Sequence, residues 1–266
     1  MALKERSKGT YFLSKGIDQF FLDVYDAFKF VMRFFREVFR TPFEFQELTR
    51  QCFEIGLRSL PLISLTGFIT GLVFTKQSRP SLSEFGAASW LPSLVAIAIL
   101  RALAPLVTAL ICAGKVGSNI GAELGSMKVT EQIDAMEVSA INPFKFLVVT
   151  RVLATTITIP ILMMYTACVA MLGSFIDVNQ HELTSFVSFF KQAFEKITFL
   201  DFFTSLVKAT VFGFTIGIVG SYKGWNASQG TQGVGRAANS AVVVSMFLIF
   251  IEEIIIVQIA NWIRTN

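Results

Sequence analysis

Charged residues are scarce in this chain. Asp, Glu, Lys and Arg make up 16% of the 266 residues, whereas soluble domains carry roughly a quarter. Hydrophobic residues make up 53%, and the mean hydropathy is +0.60. These apolar residues are grouped in runs long enough to cross a bilayer. The composition therefore excludes an ordinary soluble domain and predicts an all-α polytopic membrane protein.

Motifs for catalysis, redox chemistry and metal binding are missing. The chain has no GxxxxGK[ST] phosphate loop, no HExxH pair and no CxxC pair. His181 is the only histidine, and with Asp177 and Glu182 it makes a weak metal signature. We therefore expect no intrinsic ATPase, no metal and no cofactor. The net charge of +4 is spread along the chain, so we also expect no nucleic-acid partner.

The N-terminal segment combines Phe and Arg at helical spacing. Residues 1–16 lack an apolar core followed by a cleavage site, so we expect no signal peptide. Residues 17–40 place Phe21 and Phe28 on one helical face and charges on the other, which predicts a helix lying in the membrane interface. Packing on a soluble partner is the alternative. We assign 1–42 to this tail and helix, and 43–266 to the membrane domain.

Five apolar runs follow. The first contains Pro61, Gly67 and Gly71, which predicts a bent or re-entrant start before the span, followed by a polar turn at residues 76–83. The five runs are residues 53–74, 90–113, 144–172, 202–221 and 237–263. We expect loops at 173–200, which includes an amphipathic stretch, and at 222–236.

Basic residues decide the orientation of these spans. They cluster around the polar segment at 114–143, around the 222–236 loop and at the end of the N-terminal helix. All three places share one side if the N-terminus is cytoplasmic. We therefore expect a cytoplasmic N-terminus, a C-terminus on the opposite side, and a polar segment that faces the cytoplasm.

The polar segment from Gly114 to Pro143 begins with a glycine ridge. Gly117, Gly121 and Gly125 repeat every four residues. On a helix they form one smooth surface, which another backbone can approach closely. The pattern predicts a helix-packing contact.

An acidic stripe follows the glycine ridge. Glu131, Asp134 and Glu137 repeat every three residues, so they share a face of the next helical piece. A polar segment kept between two spans predicts a surface presented to a partner.

Several charges fall inside the apolar runs. Arg101, Lys208, Glu252 and Glu253 lie within predicted spans, where an unpaired charge costs several kcal/mol. We predict that Arg101 pairs with Glu252 or Glu253. A polar lining for a lipid-headgroup path and a proton relay are the other interpretations.

The polar segment also carries a family resemblance. Its letters GKVGSNIGAELGSMKVTEQIDAMEVSAINP, followed by FKFLVVTR, resemble the signature of the MlaE/YrbE permeases of ABC lipid transporters, and GTQGVGRAANSAVV resembles their second signature. The similarity extends from about Phe43 to the C-terminus. The resemblance implies an interfacial helix, a re-entrant helix, five transmembrane helices and a cytoplasmic coupling helix.

The resemblance also implies a function and an assembly. By this resemblance the chain would form a permease homodimer in the cell inner membrane, with a periplasmic C-terminus, and would move phospholipid or a related lipid between the inner and outer membranes to maintain outer-membrane lipid asymmetry. Energy comes from separate cytoplasmic ATPase subunits. A periplasmic hexamer of an MCE-domain protein is the expected partner outside, and a small STAS-type protein is a candidate accessory.

Specific residues carry over by position. Glu131, Gln132, Asp134 and Glu137 match the family's contact with the ATPase. By the same likeness, a lipid pathway would involve Phe74, Phe85 and Arg101, although each Phe could equally be ordinary packing or face lipid. One departure is Ala102, where the family pattern has a glutamate.

Two functions of other classes stay open at the level of sequence. A proton- or ion-coupled secondary carrier would use the intramembrane charges without an ATPase. A non-transporting membrane scaffold would only anchor a partner complex.

Overall fold

The computed structural model describes residues 21–40, 44–182 and 184–265. The chain divides into two compact units, Met1–Phe43 and Glu44–Asn266. In the first unit, residues 21–38 form helix α1. Its apolar stripe stays exposed, as expected of a helix that lies in an interface. The exposed side chains are Phe21, Val24, Tyr25, Phe28, Met32 and Phe35. The predicted part of this helix before residue 21 lies outside the described residues.

The second unit is helical and has no strand among its described residues. Its α-helices are α2 (Phe45–Glu84), α3 (Leu91–Ala98), α4 (Ala104–Cys112), α5 (Ser118–Val129), α6 (Gln132–Val138), α7 (Thr150–Glu182), α8 (Phe186–Glu195), α9 (Phe199–Trp225) and α10 (Thr231–Thr265). Three π-helical turns, at Ile99–Leu103, Ala113–Gly117 and Phe144–Val149, lead directly into α4, α5 and α7.

Five helical segments in the described part are long and apolar enough to cross a membrane. They are Phe45–Glu84, Ala88–Val129, Phe144–Glu182, Phe199–Trp225 and Thr231–Thr265. The predicted all-α polytopic fold is confirmed. Because successive spans alternate in direction, α6 lies at one end of the bundle and α8 at the other.

Helix α2 corrects two predictions. The re-entrant start and the turn at 76–83 are wrong, because α2 is one continuous helix of 40 residues with Pro61 and Pro80 inside it. At about 1.5 Å per residue it measures about 60 Å, twice the thickness of a hydrocarbon core. The loops at 173–200 and 222–236 are likewise shorter than predicted, because polar residues extend α7 and α9 beyond their apolar runs.

The glycines of α2 serve close packing on α7 rather than a break. A Cβ on Gly71 would lie 1.9 Å from the carbonyl oxygen of Ala170, and a Cβ on Gly173 would lie 2.4 Å from that of Phe68. Ser174 donates a hydrogen bond to the Gly71 carbonyl at 3.1 Å. Only glycine allows this approach, so Gly71 and Gly173 fix the crossing of α2 and α7.

Helix α7 occupies the middle of the bundle. It packs along α2 on one side and α9 on the other, while α9 also packs along α10. In the apolar stretch of the Phe144–Glu182 segment 72% of the residues are buried, against 22% in α2 and 17% in α10. The uncovered apolar faces of α2 and α10 are therefore available to lipid or to another subunit.

Candidate coupling segment and intramembrane charge cluster

Helix α6 forms a separate short element at one end of the bundle. Glu131 precedes it with φ 59° and Ala140 follows it with φ 60°, both in the left-handed region that favours glycine. The Ala140 N–H bonds to the Glu137 carbonyl, and the Ile141 N–H bonds to the Met136 carbonyl. These two bonds form a Schellman end, which stops α6 abruptly.

One side of α6 is buried against the core and the other side is exposed. Ile133 is 1% exposed, and Met136 packs against the same core. The four predicted coupling residues, Glu131, Gln132, Asp134 and Glu137, are all exposed. Lys128 of α5 pairs with Asp134 at 3.1 Å. The segment thus presents an acidic, solvent-facing edge on a fixed apolar anchor.

The glycine ridge lies between α9 and α10. A Cβ on Gly121 would lie 3.2 Å from the Cα of Ala238 in α10. On the other side, a Cβ on Gly224 of α9 would lie 2.9 Å from the Gly121 carbonyl oxygen. A Cβ on Gly117 would lie 3.5 Å from Ile216 of α9, and a Cβ on Gly125 would lie 3.6 Å from the Cα of Val234 of α10. Both neighbouring backbones therefore come close to α5, which carries α6.

Buried Arg151 joins α7 to α5, the helix that precedes the candidate coupling helix α6. Its side chain is 2% exposed and pairs with Glu123 of α5 at 2.8 Å. It also donates to the Leu147 carbonyl at 2.9 Å. A movement of α5 is therefore resisted by α7 as well as by α9 and α10.

The predicted partner of Arg101 is wrong. Arg101 pairs with Asp201 through two contacts, Nε to Oδ1 at 2.7 Å and Nη2 to Oδ2 at 2.8 Å. Glu253 pairs instead with Lys208 at 2.6 Å, and Glu252 accepts a hydrogen bond from Thr215 at 2.5 Å. Arg101 and Glu253 still border one cavity of about 210 Å³.

Asp201 was not predicted as the partner of Arg101, because it falls between the predicted loop at 173–200 and the predicted span at 202–221. Helix α9 begins at Phe199, and Thr198 with Asp201 forms its capping box. The side chain of Asp201 is 1% exposed and also accepts from Arg264 at the end of α10. The T-x-x-D spacing was the available signal.

A proline explains the π-helical turn around Arg101. Pro105 has no N–H, so it cannot donate to the carbonyls of Leu100 or Arg101 in the preceding turn. Ser205 donates to the Leu100 carbonyl at 2.7 Å, and Lys208 donates to the Arg101 carbonyl at 3.0 Å. Both acceptors are thus satisfied from α9, as a membrane interior requires.

The remaining predicted pathway residues lie apart from this cluster. Phe74 is half-buried and packs against the hydrophobic core that contains Leu91, whereas Phe85 is 86% exposed just beyond the end of α2. Ala102 is exposed and borders the same cavity as Arg101.

The two acidic residues of the weak metal signature lie next to an arginine. Arg79 pairs with Asp177 at 2.7 Å and lies 3.9 Å from Glu182. Within the described ranges, no group of three His, Cys, Asp or Glu residues is arranged to hold a metal ion.

Comparison with known proteins identifies the family. The family described as Permease MlaE matches residues 48–259. A probable ABC transporter permease protein of Rickettsia typhi is 37% identical over 223 residues, 84% of this chain and 86% of the relative. Probable ABC transporter permease proteins of Synechocystis and of Pyropia yezoensis are each 34% identical, over 75% and 79% of this chain and 76% and 80% of theirs. The family match covers both the coupling segment and the charge cluster, and the chain therefore belongs to the MlaE permease family.

Proposed function

We propose that this chain is the membrane subunit of an ABC transporter that moves phospholipid between the inner and outer membranes. A separate ATPase on the cytoplasmic side supplies the energy. The observation that carries the proposal is α6, whose exposed acidic edge stands on a buried anchor at Ile133. A rigid helix of this kind transmits a push from a partner to the spans behind it.

The uncovered faces support a dimeric assembly. Few residues in the apolar stretches of α2 and α10 are buried within one copy, and a second copy of the chain is the proposed cover for part of these faces. A lipid path between the two copies would involve Phe74, Phe85 and Arg101. The N-terminus is placed in the cytoplasm and the C-terminus in the periplasm, where an MCE-domain protein would continue the path. A STAS-type accessory protein is a further proposed partner.

Reversal of the acidic edge tests the coupling role. The double variant Glu131→Lys/Asp134→Lys should lose the ATPase in co-purification, or retain it without lipid-stimulated ATP turnover, because acidic side chains would no longer meet basic ones. The variant should still insert in the membrane. Glu84→Lys, an exposed acid at the far end of α2, is the matched control.

Two outcomes would contradict the proposal. Unchanged co-purification and unchanged ATP turnover in the double variant would remove α6 from the coupling contact. Lipid transfer that follows the proton gradient and continues without any ATPase would instead support a secondary carrier.

A further inference from the structure

A polar cavity lies between α2 and α5, at the end of the bundle that carries α6. Its volume is about 550 Å³, within the usual range for ligand sites, about 300–1,000 Å³. Two cations, Arg58 and Lys115, and two acids, Glu54 and Glu123, border it. None of these residues belongs to the coupling edge or to the charge cluster around Arg101.

The charges of the cavity are arranged in two layers. The Lys115 ammonium donates to the Arg58 carbonyl, so these two residues lie at one level of two antiparallel segments. Glu54 lies four residues before Arg58, and Glu123 lies eight residues after Lys115. At about 1.5 Å per residue, the acids lie about 6 and 12 Å farther from the membrane centre. The cavity therefore has its two cations toward the membrane and its two acids farther out, where Glu123 pairs with Arg151 at 2.8 Å.

The cationic layer lies near the ends of two apolar runs. Lys115 comes two residues after the end of the apolar run at Ala113, and Arg58 lies about one and a half turns inside the run that starts at Phe53. Lys and Arg at this depth are suited to phosphate groups in the headgroup region. The acidic layer lies where a headgroup amine would project.

Two side chains at the cavity, Arg58 and Ser59, have hydrogen-bonding groups that are weakly used or unused. The Arg58 side chain is 72% exposed, and its Glu54 partner is 3.7 Å away, a weak ion pair. Ser59 borders the cavity with 1% exposure, and its hydroxyl has no hydrogen-bond partner among the described residues. The Ser59 hydroxyl is therefore free to bond to an occupant of the cavity.

We infer that this cavity binds the headgroup of a zwitterionic phospholipid. The phosphate would lie against Arg58, Lys115 and the Ser59 hydroxyl, and the ammonium would lie against Glu54, because Glu123 already pairs with Arg151 at 2.8 Å. A phospholipid in the adjacent leaflet has this same order, with its phosphate nearer the acyl chains and its amine outermost. The inference rests on the proposed lipid-transport function and adds the headgroup class and a recognition site on the α6 side.

Photo-crosslinking in nanodiscs tests this site directly. The full-length protein is placed in equimolar phosphatidylethanolamine and phosphatidylglycerol, with a photoreactive headgroup-proximal analogue of one or the other, and labelled peptides are identified by mass spectrometry. We expect labelling of residues 51–59 and 115–126, with the phosphatidylethanolamine analogue favoured about tenfold, as for a charge-assisted contact. Inorganic phosphate should not compete, because the occupant is a membrane lipid.

Two conservative variants separate the layers. Glu54→Gln should remove most of the preference for phosphatidylethanolamine while keeping the labelling by phosphatidylglycerol, because only the ammonium contact is lost. Arg58→Gln should reduce labelling by both lipids several-fold. Both side chains are partly exposed, so folding should be preserved. Glu44→Gln and Arg236→Gln, exposed residues outside the cavity, are the matched controls.

Two results would overturn the inference. One is equal labelling of these peptides by the two lipids in the wild-type protein. The other is unchanged labelling in both cavity variants. Neither result would touch the proposed function, which is tested separately by ATPase coupling and lipid transfer. If the test of ATPase coupling fails while the labelling stays selective, the proposed function is contradicted and the headgroup site is not.

Discussion

Lys208 of α9 donates to the main-chain carbonyl of Arg101 at 3.0 Å, in the π-helical turn that precedes Pro105. The same ammonium pairs with Glu253 of α10 at 2.6 Å. One buried cation therefore joins three spans, and it satisfies an acceptor that a proline has left open.

Loss of Lys208 should destabilise the protein strongly. Lys208→Met leaves the Glu253 carboxylate partly buried without its cation, which typically costs about 3–5 kcal/mol. The double variant Lys208→Met/Glu253→Leu should recover most of this loss. Thermal unfolding in detergent measures both, and Lys191→Met, on an exposed position of α8, should change stability by less than about 0.5 kcal/mol. A double variant as unstable as Lys208→Met would contradict the pairing.

The contribution of Ser205 should depend on Pro105. Ser205→Ala leaves the Leu100 carbonyl without its interhelical donor, at a cost of about 1 kcal/mol. In a Pro105→Ala background the restored main-chain N–H can serve this turn, so the same substitution should cost much less. Thr204→Ala is the control, because the Thr204 hydroxyl bonds within its own helix at 2.7 Å. If Ser205→Ala lowers the free energy of unfolding equally in both backgrounds, the role given to Pro105 is contradicted.

A methyl group at Gly71 should separate α2 from α7. The new Cβ would lie 1.9 Å from a main-chain oxygen, so a backbone must move. We expect Gly71→Ala to cost at least about 2 kcal/mol, in the range of overpacked cores. Gly235→Ala meets open space in α10 and should be neutral or stabilising by up to about 1 kcal/mol. Equal unfolding temperatures for the two variants would argue against the tight crossing.

The left-handed end of α6 should prefer glycine. Ala140→Gly relieves a positive φ and should stabilise the protein by about 1 kcal/mol. Ala135→Gly, the same substitution inside α6, should destabilise by about 1 kcal/mol. Opposite shifts in unfolding temperature are the expected signature. Shifts of the same sign would mean that Ala140 is not held in the left-handed region in solution.

Most of the helices could be predicted from the sequence. Long apolar runs must be helical inside a bilayer, because a helix satisfies every backbone group within one segment. The spans, the polar segment and the exposed positions of Glu131, Asp134 and Glu137 followed from composition and periodicity. Helix ends did not, since polar residues continue α2, α7 and α9 past the apolar runs. Pro61, Gly67 and Gly71 suggested a break but serve close packing.

Tertiary structure alone decided which charges meet. The sequence showed that Arg101 and Glu253 need partners, because an isolated charge at that depth is costly. It could not show that α9 starts early enough to bring Asp201 to Arg101, or that Lys208 would take both Glu253 and a carbonyl freed by Pro105. Pairing depends on how helices cross, and periodicity within one helix carries no information about its neighbour. The sequence thus determined the class of membrane protein and the polar segment at 114–143, while packing chose the ion pairs and brought Arg58 and Lys115 together between α2 and α5.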